Sequence, residues 1–282
     1  MVDPVVKPLT CPPAQDTGSP PGGPGDQSWQ VLCVPAFADN YLWLIHDATQ
    51  AVAVDPGDAQ AIIAALDARG LTLSAILCTH HHADHVGGVL QLIARYGAIP
   101  VYGPAHEAIP GRTVAVRDAE VLTLPPGDFR VLEVPGHTAG HVAYVWEDRL
   151  FCGDTLFALG CGRVFEVTPA QMLDSLERLS SLTGDLWVHC AHEYTLSNLA
   201  FALQVDGENG DLQARATRER ARRSAGLATV PSRMSDERRT NPFLRCGSGA
   251  VKASAETWRQ APLDTRVAVF TALREWKNGY RA

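Results

Sequence analysis

Short apolar runs alternate with amphipathic stretches between residue 29 and about residue 192. The runs are rich in Val, Ile, Leu and aromatic residues, which is typical of strands, whereas the stretches between them repeat apolar residues at helical spacing. This alternation predicts a layered α/β domain. The predicted strands are Gln30 to Val34, Tyr41 to His46, Ala51 to Asp55, Ala75 to Cys78, Phe129 to Val134, Val142 to Trp146 and Arg149 to Cys152.

Three helices of this domain have recognisable starts. Asp58 can cap a helix that ends at Gly70, and Thr168 followed by Pro169 is typical of another helix start. A third helix is predicted to begin near His85. Its predicted apolar face consists of Val86, Val89, Leu90 and Ile93.

The strand pattern ends after about Glu193, and three further helices are predicted, from Thr195 to Val205, from Leu212 to Ala225 and from Asp264 to Lys277. The chain therefore divides into residues 1–28, residues 29–192 and a helical domain of residues 193–282. Composition changes at the same boundary. Residues 193–282 contain 15 Lys plus Arg and 10 Asp plus Glu, a net charge of +5, whereas residues 1–192 contain 9 and 21, a net charge of −12.

The basic helical end could attract an anionic substrate. Five arginines of the second predicted helix of this domain are expected to lie on a solvated helix surface. These are Arg215, Arg218, Arg220, Arg222 and Arg223. A total charge of −7 and the lack of an aromatic and basic repeat argue against a nucleic-acid partner.

Residues 1–28 form a Pro- and Gly-rich extension without hydrophobic periodicity, which predicts disorder. The extension contains one basic residue, Lys7, and no continuous apolar core, so neither a mitochondrial nor a secretory leader is expected. No apolar run in the chain is long enough to span a bilayer. We therefore expect a cytoplasmic protein without a membrane partner. A monomer is the expectation, although the sequence leaves the oligomeric state open.

Residues 79–85 read Thr-His-His-His-Ala-Asp-His and directly follow a predicted strand. Imidazole nitrogens and carboxylates are ligands for zinc, iron or manganese. Alternate residues of an extended segment point to the same side, so His80 and His82 are expected to face one way and His81 the other. The segment predicts part of a metal site.

Three more predicted strands end at a residue that can bind metal. His137 follows Glu133–Gly136, Asp154 follows Leu150–Gly153, and His192 follows Leu186–Ala191. Strand ends on one edge of a sandwich can share a cleft, so these side chains are expected to complete a common metal site.

These motifs resemble the metallo-β-lactamase superfamily and, within it, the glyoxalase II (hydroxyacylglutathione hydrolase) family. The resemblance runs from about Trp29 to the C-terminus. Besides the metal motifs, it rests on the segments 35–41 (Pro-Ala-Phe-Ala-Asp-Asn-Tyr), 160–166 (Gly-Cys-Gly-Arg-Val-Phe-Glu), 192–195 (His-Glu-Tyr-Thr) and 241–245 (Asn-Pro-Phe-Leu-Arg). It implies an αββα sandwich followed by a helical domain that binds glutathione.

The resemblance also implies a dinuclear centre. One ion would be bound by His80, His82 and His137, and the second by Asp84, His85 and His192, with Asp154 bridging both. Two such ions lower the pKa of a shared water toward about 7, so that a metal-bound hydroxide attacks the substrate carbonyl. Asp84 and Asp154 are the implied catalytic residues. Zinc is the expected metal, with iron or manganese as alternatives.

The implied reaction is hydrolysis of S-D-lactoylglutathione to D-lactate and glutathione, the second step of methylglyoxal detoxification. The segment 273–277 resembles the part of the family that holds the glycine carboxylate of glutathione. Phe165 stands where some family members have Tyr, which removes a hydroxyl. The substrate-binding residues implied by the resemblance are Arg163, Phe165, Tyr194, Arg274 and Lys277.

Two other functions are compatible with part of this pattern. A persulfide dioxygenase resembles this fold but uses a single iron held by two His and one Asp, and it lacks a long basic helical end. A metal-stabilised binding protein without turnover would have a closed ligand shell, whereas the bridge implied at Asp154 requires an open one. The range of acyl groups is left open by the sequence.

Overall fold

The computed structural model describes residues 29–281, so the predicted disorder of residues 1–28 lies outside the described residues. Two six-stranded mixed sheets form the centre of the fold. The strands of the first sheet, in spatial order, are β1 (Gln30–Ala36), β2 (Asn40–His46), β3 (Gln50–Val54), β4 (Thr72–Leu77), β5 (Val101–Pro104) and β6 (Val114–Val116). The first three are antiparallel neighbours, and β3 to β6 run parallel.

The second sheet is mostly antiparallel, with one parallel pair. Its neighbouring strands are β14 (Ser232–Arg233), β13 (Trp187–Cys190), β10 (Arg149–Gly153), β9 (Val142–Trp146), β8 (Gly127–Glu133) and β7 (Val121–Leu124). A separate hairpin is formed by β11 (Leu156–Phe157) and β12 (Gly160–Cys161). All the strands predicted from the sequence are present, with ends shifted by a few residues.

The alternation of side chains along β2 shows how the layers form. Leu42 and Leu44 join a core beneath helices α1 (Ala59–Asp67) and α3 (Val89–Tyr96), whereas Trp43 joins the core shared with the second sheet. Successive side chains of a strand point to opposite faces, so a strand with two apolar faces is buried in the middle of a stack. Helix α4 (Pro169–Ser180) packs into the core on the second sheet's side. The predicted αββα sandwich is confirmed.

The helix predicted to begin near His85 is interrupted. Helix α2 (Ala83–Val86) ends at Gly87, and α3 begins at Val89. The break arises because the Gly88 amide bonds to the Pro56 carbonyl at 3.0 Å, and a Cβ on Gly88 would lie 2.4 Å from that oxygen. Val86 and Val89 are buried but Leu90 is 59% exposed, so the apolar face predicted for a single helix was wrong at Leu90.

The C-terminal region contains α5 (Thr195–Asp206), α6 (Gly210–Ser224), α7 (Met234–Thr240), a 3₁₀ turn (Pro242–Leu244), α8 (Gly249–Arg259) and α9 (Arg266–Gly279). Its apolar side chains, such as Phe243 and Phe270, belong to the same core as the second sheet. The expectation that strands end after Glu193 was wrong for β14, which pairs with β13. Within residues 29–281, no helix has the length and apolar character needed to cross a membrane.

Arg215 does not lie on the solvated surface of α6, as the sequence suggested. It is 1% exposed, and its guanidinium lies 2.5 Å from the Glu237 carboxylate and 2.8 Å from the Thr240 hydroxyl. A buried guanidinium is tolerated when a carboxylate neutralises it, and Glu237 supplies that charge from the facing helix α7.

Candidate metal centre and substrate cleft

Four loops converge at one edge of the sandwich and bring all seven predicted ligands together. Residues 79–85 follow β4, His137 lies between β8 and β9, Asp154 follows β10, and His192 follows β13. Their ligand atoms form three overlapping groups, each within 4.8 Å. The groups are His80, His82 and His137; His80, His85 and Asp154; and Asp84, His85 and His192.

The first group has three converging imidazole nitrogens. His82 Nδ1 lies 3.1 Å from His80 Nε2 and 3.0 Å from His137 Nε2. His137 Nδ1 lies 3.0 Å from the Arg163 carbonyl. Because a carbonyl only accepts, Nδ1 carries the ring proton, and the lone pair of Nε2 is directed into the group.

His80 is oriented in the same way by a hydroxyl. Thr79 Oγ1 donates to Asp55 Oδ2 at 2.7 Å and lies 3.0 Å from His80 Nδ1. Since the hydroxyl proton is used on Asp55, the Thr79 oxygen accepts from His80 Nδ1, which leaves the His80 Nε2 lone pair facing the group.

The group of Asp84, His85 and His192, called the second group from here on, is supported by carboxylates. His85 Nδ1 lies 3.0 Å from Asp55 Oδ2, and His192 Nδ1 lies 2.9 Å from Asp39 Oδ1. Their Nε2 atoms lie 3.6 Å and 3.5 Å from Asp84 Oδ2. A carboxylate that accepts from the far nitrogen fixes the tautomer and increases the basicity of a metal-binding imidazole.

Asp154 is buried. It lies between the first group (His80, His82 and His137) and the second group (Asp84, His85 and His192). Its Oδ1 is 3.4 Å from His85 Nε2 and 3.3 Å from His192 Nε2, and its Oδ2 is 3.4 Å from His137 Nε2. The carboxylate therefore has one oxygen toward each group, which is the arrangement that a bridging ligand requires.

The donor set fits two cations. Among residues 29–281, Asp154 Oδ1 and His85 Nε2 belong to the few buried side-chain atoms without a hydrogen-bond partner. A buried polar atom without a partner is costly, and a metal ion between these two atoms would satisfy both. These His and Asp groups therefore fit a dinuclear metal site.

The charges at this edge also favour a cation. Burial would raise the pKa of Asp154, but His85 and His192 hold it well below its usual value. Burial would lower the pKa of His192, yet Asp154 raises it to about 9. Both shifts show that the buried Asp154 carboxylate is stabilised by positive charge around it.

The other histidines of these motifs lie beside the three groups. The His141 ring stacks on His80 with a centroid distance of 4.6 Å, and its Nε2 accepts from the Asp154 backbone amide at 3.2 Å. His81 turns away from His80 and lies 2.9 Å from the buried Glu107 carboxylate.

A cleft of about 490 Å³ opens from the two groups toward the helical region. His82, Asp84, His137, Asp154 and His192 line one end of it, so the groups are accessible from solvent. All five residues expected at the substrate line the rest, namely Arg163, Phe165, Tyr194, Arg274 and Lys277.

The two cationic residues of α9 that line the cleft differ in their surroundings. Arg274 is 7% exposed and donates to the Cys161 carbonyl at 2.9 Å. Lys277 Nζ donates to the Ser197 carbonyl at 2.9 Å, and its pKa is lowered to about 8 by burial and then by Arg274 and Arg163. Lys277 is therefore the more available of the two cations.

The aromatic residues of the cleft lie next to the histidines. The Tyr194 ring stacks on His192 at 4.7 Å, and the Phe165 ring lies 5.3 Å from His137. Phe165 is 61% exposed. One ring therefore lies beside His192 and the other beside His137.

Comparisons with known proteins agree with this geometry. Residues 38–192 match the model of the metallo-beta-lactamase superfamily, and residues 193–280 match the model described as hydroxyacylglutathione hydrolase C-terminus. A hydroxyacylglutathione hydrolase of Alkalilimnicola ehrlichii is 53% identical over 253 residues, which cover 88% of this chain and 98% of that relative. The chain belongs to the hydroxyacylglutathione hydrolase family.

Other family members are nearly as similar. Hydroxyacylglutathione hydrolases of Cupriavidus metallidurans and Photobacterium profundum are 51% and 48% identical, and each match covers 89% of this chain and 99% of the relative. Among solved structures, ETHE1 from Myxococcus xanthus has a TM-score of 0.60 at 25% identity and covers 90% of this chain and 100% of its own. The BLEG-1 B3 metallo-beta-lactamase has a TM-score of 0.56 at 23% identity, covering 77% and 99%. These two structures share the fold.

The sequence did not reveal several residues that support this hydroxyacylglutathione hydrolase site. Asp39 bonds to His192, and Asn40 donates to Asp84 Oδ2 at 3.0 Å. Glu193 accepts from the Tyr41 hydroxyl at 2.8 Å and from Thr229. Asp39, Asn40 and Tyr41 lie in a segment that the sequence singled out, but their partners are distant along the chain.

Proposed function

We propose that this chain hydrolyses S-(2-hydroxyacyl)glutathione thioesters, with S-D-lactoylglutathione as the substrate and D-lactate and glutathione as the products. The observation that carries the proposal is the cleft itself. It joins a pair of His and Asp groups at one end to an available ammonium, Lys277, at the other. A cleft with metal ligands at one end and an ammonium at the other suits a substrate with a reactive thioester and a remote carboxylate. The names of the relatives support the same reaction.

We assign the metal ligands as the sequence resemblance implied. His80, His82 and His137 would hold one ion, Asp84, His85 and His192 would hold the second, and Asp154 would bind both. Zinc is the proposed metal, with iron or manganese as alternatives, because His and carboxylate ligands accept all three. When bound, two such ions supply a water that is acidic enough to attack at neutral pH and polarise the carbonyl.

The chain's own residues orient this chemistry. Asn40 fixes the half-exposed Asp84 carboxylate at the cleft surface, where it can accept a proton from the attacking water. One water adds to the carbonyl carbon, the carbon–sulfur bond breaks, and the thiolate leaves. No acid is needed for departure, since a thiol has a pKa of about 8.5.

We assign recognition of glutathione to the helical side of the cleft. Lys277 would pair with a carboxylate of the peptide, and Arg163 would add positive charge nearer the metals. Phe165 and Tyr194 would pack against the acyl and thioester part. Arg274 would contribute its positive charge from a buried position, because its guanidinium is already bonded to the Cys161 carbonyl.

The deciding experiment combines elemental analysis with an assay of S-D-lactoylglutathione hydrolysis on purified protein before and after chelation. We expect close to two transition-metal ions per chain, loss of hydrolysis on chelation and recovery with zinc. One ion with full thioesterase activity would contradict the dinuclear mechanism. One iron with persulfide oxidation, or two ions without turnover, would favour the alternative functions. The cytoplasmic location and the monomeric state stay predictions, and fractionation and gel filtration would test them.

A further inference from the structure

The hairpin formed by β11 and β12 lies between two parts of the proposed active site. It starts two residues after Asp154 and ends two residues before Arg163. The Arg163 carbonyl is the acceptor that orients the His137 ring. Any movement of the hairpin would therefore shift Asp154 at one end and, through the Arg163 carbonyl, His137 at the other.

Side chains of the helical region hold the backbone of this hairpin. The Asn241 side-chain amide donates to the Phe157 carbonyl at 3.2 Å and to the Gly160 carbonyl at 2.9 Å. The Leu159 amide donates to Glu237 at 2.9 Å. Leu159 has a φ of +60°, a conformation that costs energy for a residue with a side chain and needs support.

Two more side chains complete the set. Asn198 of α5 donates to the Ala158 carbonyl at 3.1 Å, and Arg274 of α9 donates to the Cys161 carbonyl. Each residue from Phe157 to Cys161 thus has one backbone group bonded to a side chain that lies beyond Glu193. Since these partners come from separate helices, the hairpin position depends on how the helical region packs.

The partners are themselves fixed. Asn241 and Glu237 are fully buried, and the Asn241 amide also contacts Glu237 at 3.1 Å. Glu237 accepts from Arg215 at 2.5 Å, so its charge is neutralised. Buried polar networks in which the groups find partners are rigid, whereas removal of one member leaves others without partners. Each polar side-chain atom of Asn241 and Glu237 has a partner, so these two side chains are held in one arrangement.

We propose that Asn241 and Glu237 are positioning residues for thioester hydrolysis, which set the hairpin and through it Asp154 and His137. The inference rests on the proposed function for its kinetic consequence. It assigns a role to Asn241, which belongs to the helical region and is far from the proposed ligands in sequence.

The test compares Asn241→Ala with Asn209→Ala. The side-chain oxygen of each asparagine accepts a hydrogen bond from a backbone amide at the start of a helical turn, and each side-chain amide donates to a backbone carbonyl. Asn209, however, donates to Arg239 and Asp206 and not to the hairpin. We expect Asn241→Ala to lower kcat about tenfold or more at full metal occupancy, because small misplacements of reacting groups reduce rates strongly. Asn209→Ala should keep wild-type kcat.

The kinetic split distinguishes positioning from substrate binding. Asn241→Ala should slow hydrolysis of S-D-lactoylglutathione and of a simple thioester without the glutathione peptide to the same extent, with KM little changed. A loss confined to KM, or equal kcat in the two asparagine variants, would overturn the proposal. If Asn241→Ala does not fold, Asn198→Ala removes a single bond to the hairpin, and unchanged kcat in that variant would overturn the proposal as well.

Hydrogen exchange of the metal-free protein gives a second measurement that does not depend on activity. Amides in residues 155–163 should exchange about tenfold faster in Asn241→Ala than in wild type or Asn209→Ala, since local opening becomes easier. Unchanged exchange would overturn the inference. If wild-type protein hydrolysed neither thioester, the proposed function would fail, but the exchange data would still decide whether Asn241 holds the hairpin.

Discussion

The two ends of the cleft differ in how firmly their side chains are held. At the metal end, His85, His137 and His192 each have one ring nitrogen bonded to a carboxylate or carbonyl, which leaves the other nitrogen directed inward. At the substrate end, Ser197 is the one hydrogen-bond partner of Lys277 among residues 29–281, and Phe165 is 61% exposed.

This contrast reflects what each end must do. Metal ligands must hold their geometry before the ion arrives, so their orientation is fixed by surrounding bonds. A substrate-binding residue must exchange its present partner for the ligand, so it is only lightly held. We therefore expect substitutions at the metal end to affect metal content and kcat together, and substitutions at the substrate end to affect KM alone.

The largest effect is expected for Asp154→Ala. Because the carboxylate has one oxygen toward each group, its loss should reduce metal content at both sites and lower kcat/KM on the order of 10⁴-fold. Elemental analysis and thioester hydrolysis measure the two consequences. An exposed aspartate, Asp128, provides the control variant Asp128→Ala. Two ions per chain in Asp154→Ala would contradict the bridging role.

A smaller and asymmetric effect is expected for Asp39→Ala. Asp39 supports His192, which belongs to only one group, so one ion should bind about 10- to 100-fold more weakly and the other normally. Competition with a chelator would resolve the two affinities. Asp39→Asn keeps an oxygen acceptor for His192 and should be milder. Equal weakening of both ions would mean that the groups are not separate.

Lys277→Ala tests the substrate end. Loss of a charge-assisted hydrogen bond at this partly exposed position should raise KM for S-D-lactoylglutathione about tenfold and leave kcat and metal content unchanged. Lys252→Ala, in α8, is the matched control. Hydrolysis of a simple thioester should be the same in all three proteins. Arg274→Ala is also expected to weaken binding of the glutathione thioester. Because it would also remove the hydrogen bond to the Cys161 carbonyl, its effect would not report on substrate binding alone.

The pH dependence of KM sharpens the same comparison. Burial and nearby arginines lower the pKa of Lys277 to about 8. The ammonium is charged below this pH, so KM for the glutathione thioester should be flat there and rise a few-fold as the pH passes through about 8. Lys277→Arg keeps its charge and should remove the rise, because a guanidinium stays protonated. A rise that persists in Lys277→Arg would assign it to another group.

The smallest effect is expected far from both ends. Asp58 caps α1 by accepting from the Gln60 and Ala61 amides. Asp58→Ala should lower the free energy of unfolding by about 1 kcal/mol and leave kcat/KM unchanged. Urea unfolding at saturating zinc measures the stability, and Asp58→Asn, which retains a capping oxygen, should restore most of it. A change in kcat/KM would mean that the conformation of α1 affects the active site.

Much of the fold and of the candidate site could be predicted because the signals are local. The strands of the sandwich have strong apolar runs, and the capping box at Thr168 is complete within four residues. The ligands of residues 79–85 lie side by side in the sequence, and His137, Asp154 and His192 each end a strand. The strands β5, β6 and β7 have only three or four residues each, so their pattern is weak.

What the sequence could not give depends on partners that are distant along the chain. The burial of Arg215 is possible only because Glu237 faces it, and periodicity along one helix contains no information about the neighbouring helix. The interruption between α2 and α3 similarly depends on the close approach of Pro56.

The sequence by itself determined the candidate ligand types and a layered α/β domain, because these follow from residue identity and short-range periodicity. The αββα sandwich and the family followed from the resemblance of its motifs to known proteins. Only the tertiary structure decided which carboxylate orients each histidine, and that Asn241 and Glu237 hold the hairpin beside Asp154. The physical reason is that a hydrogen bond depends on distances of about 3 Å between groups. Packing sets such distances between residues that are tens of positions apart in the chain.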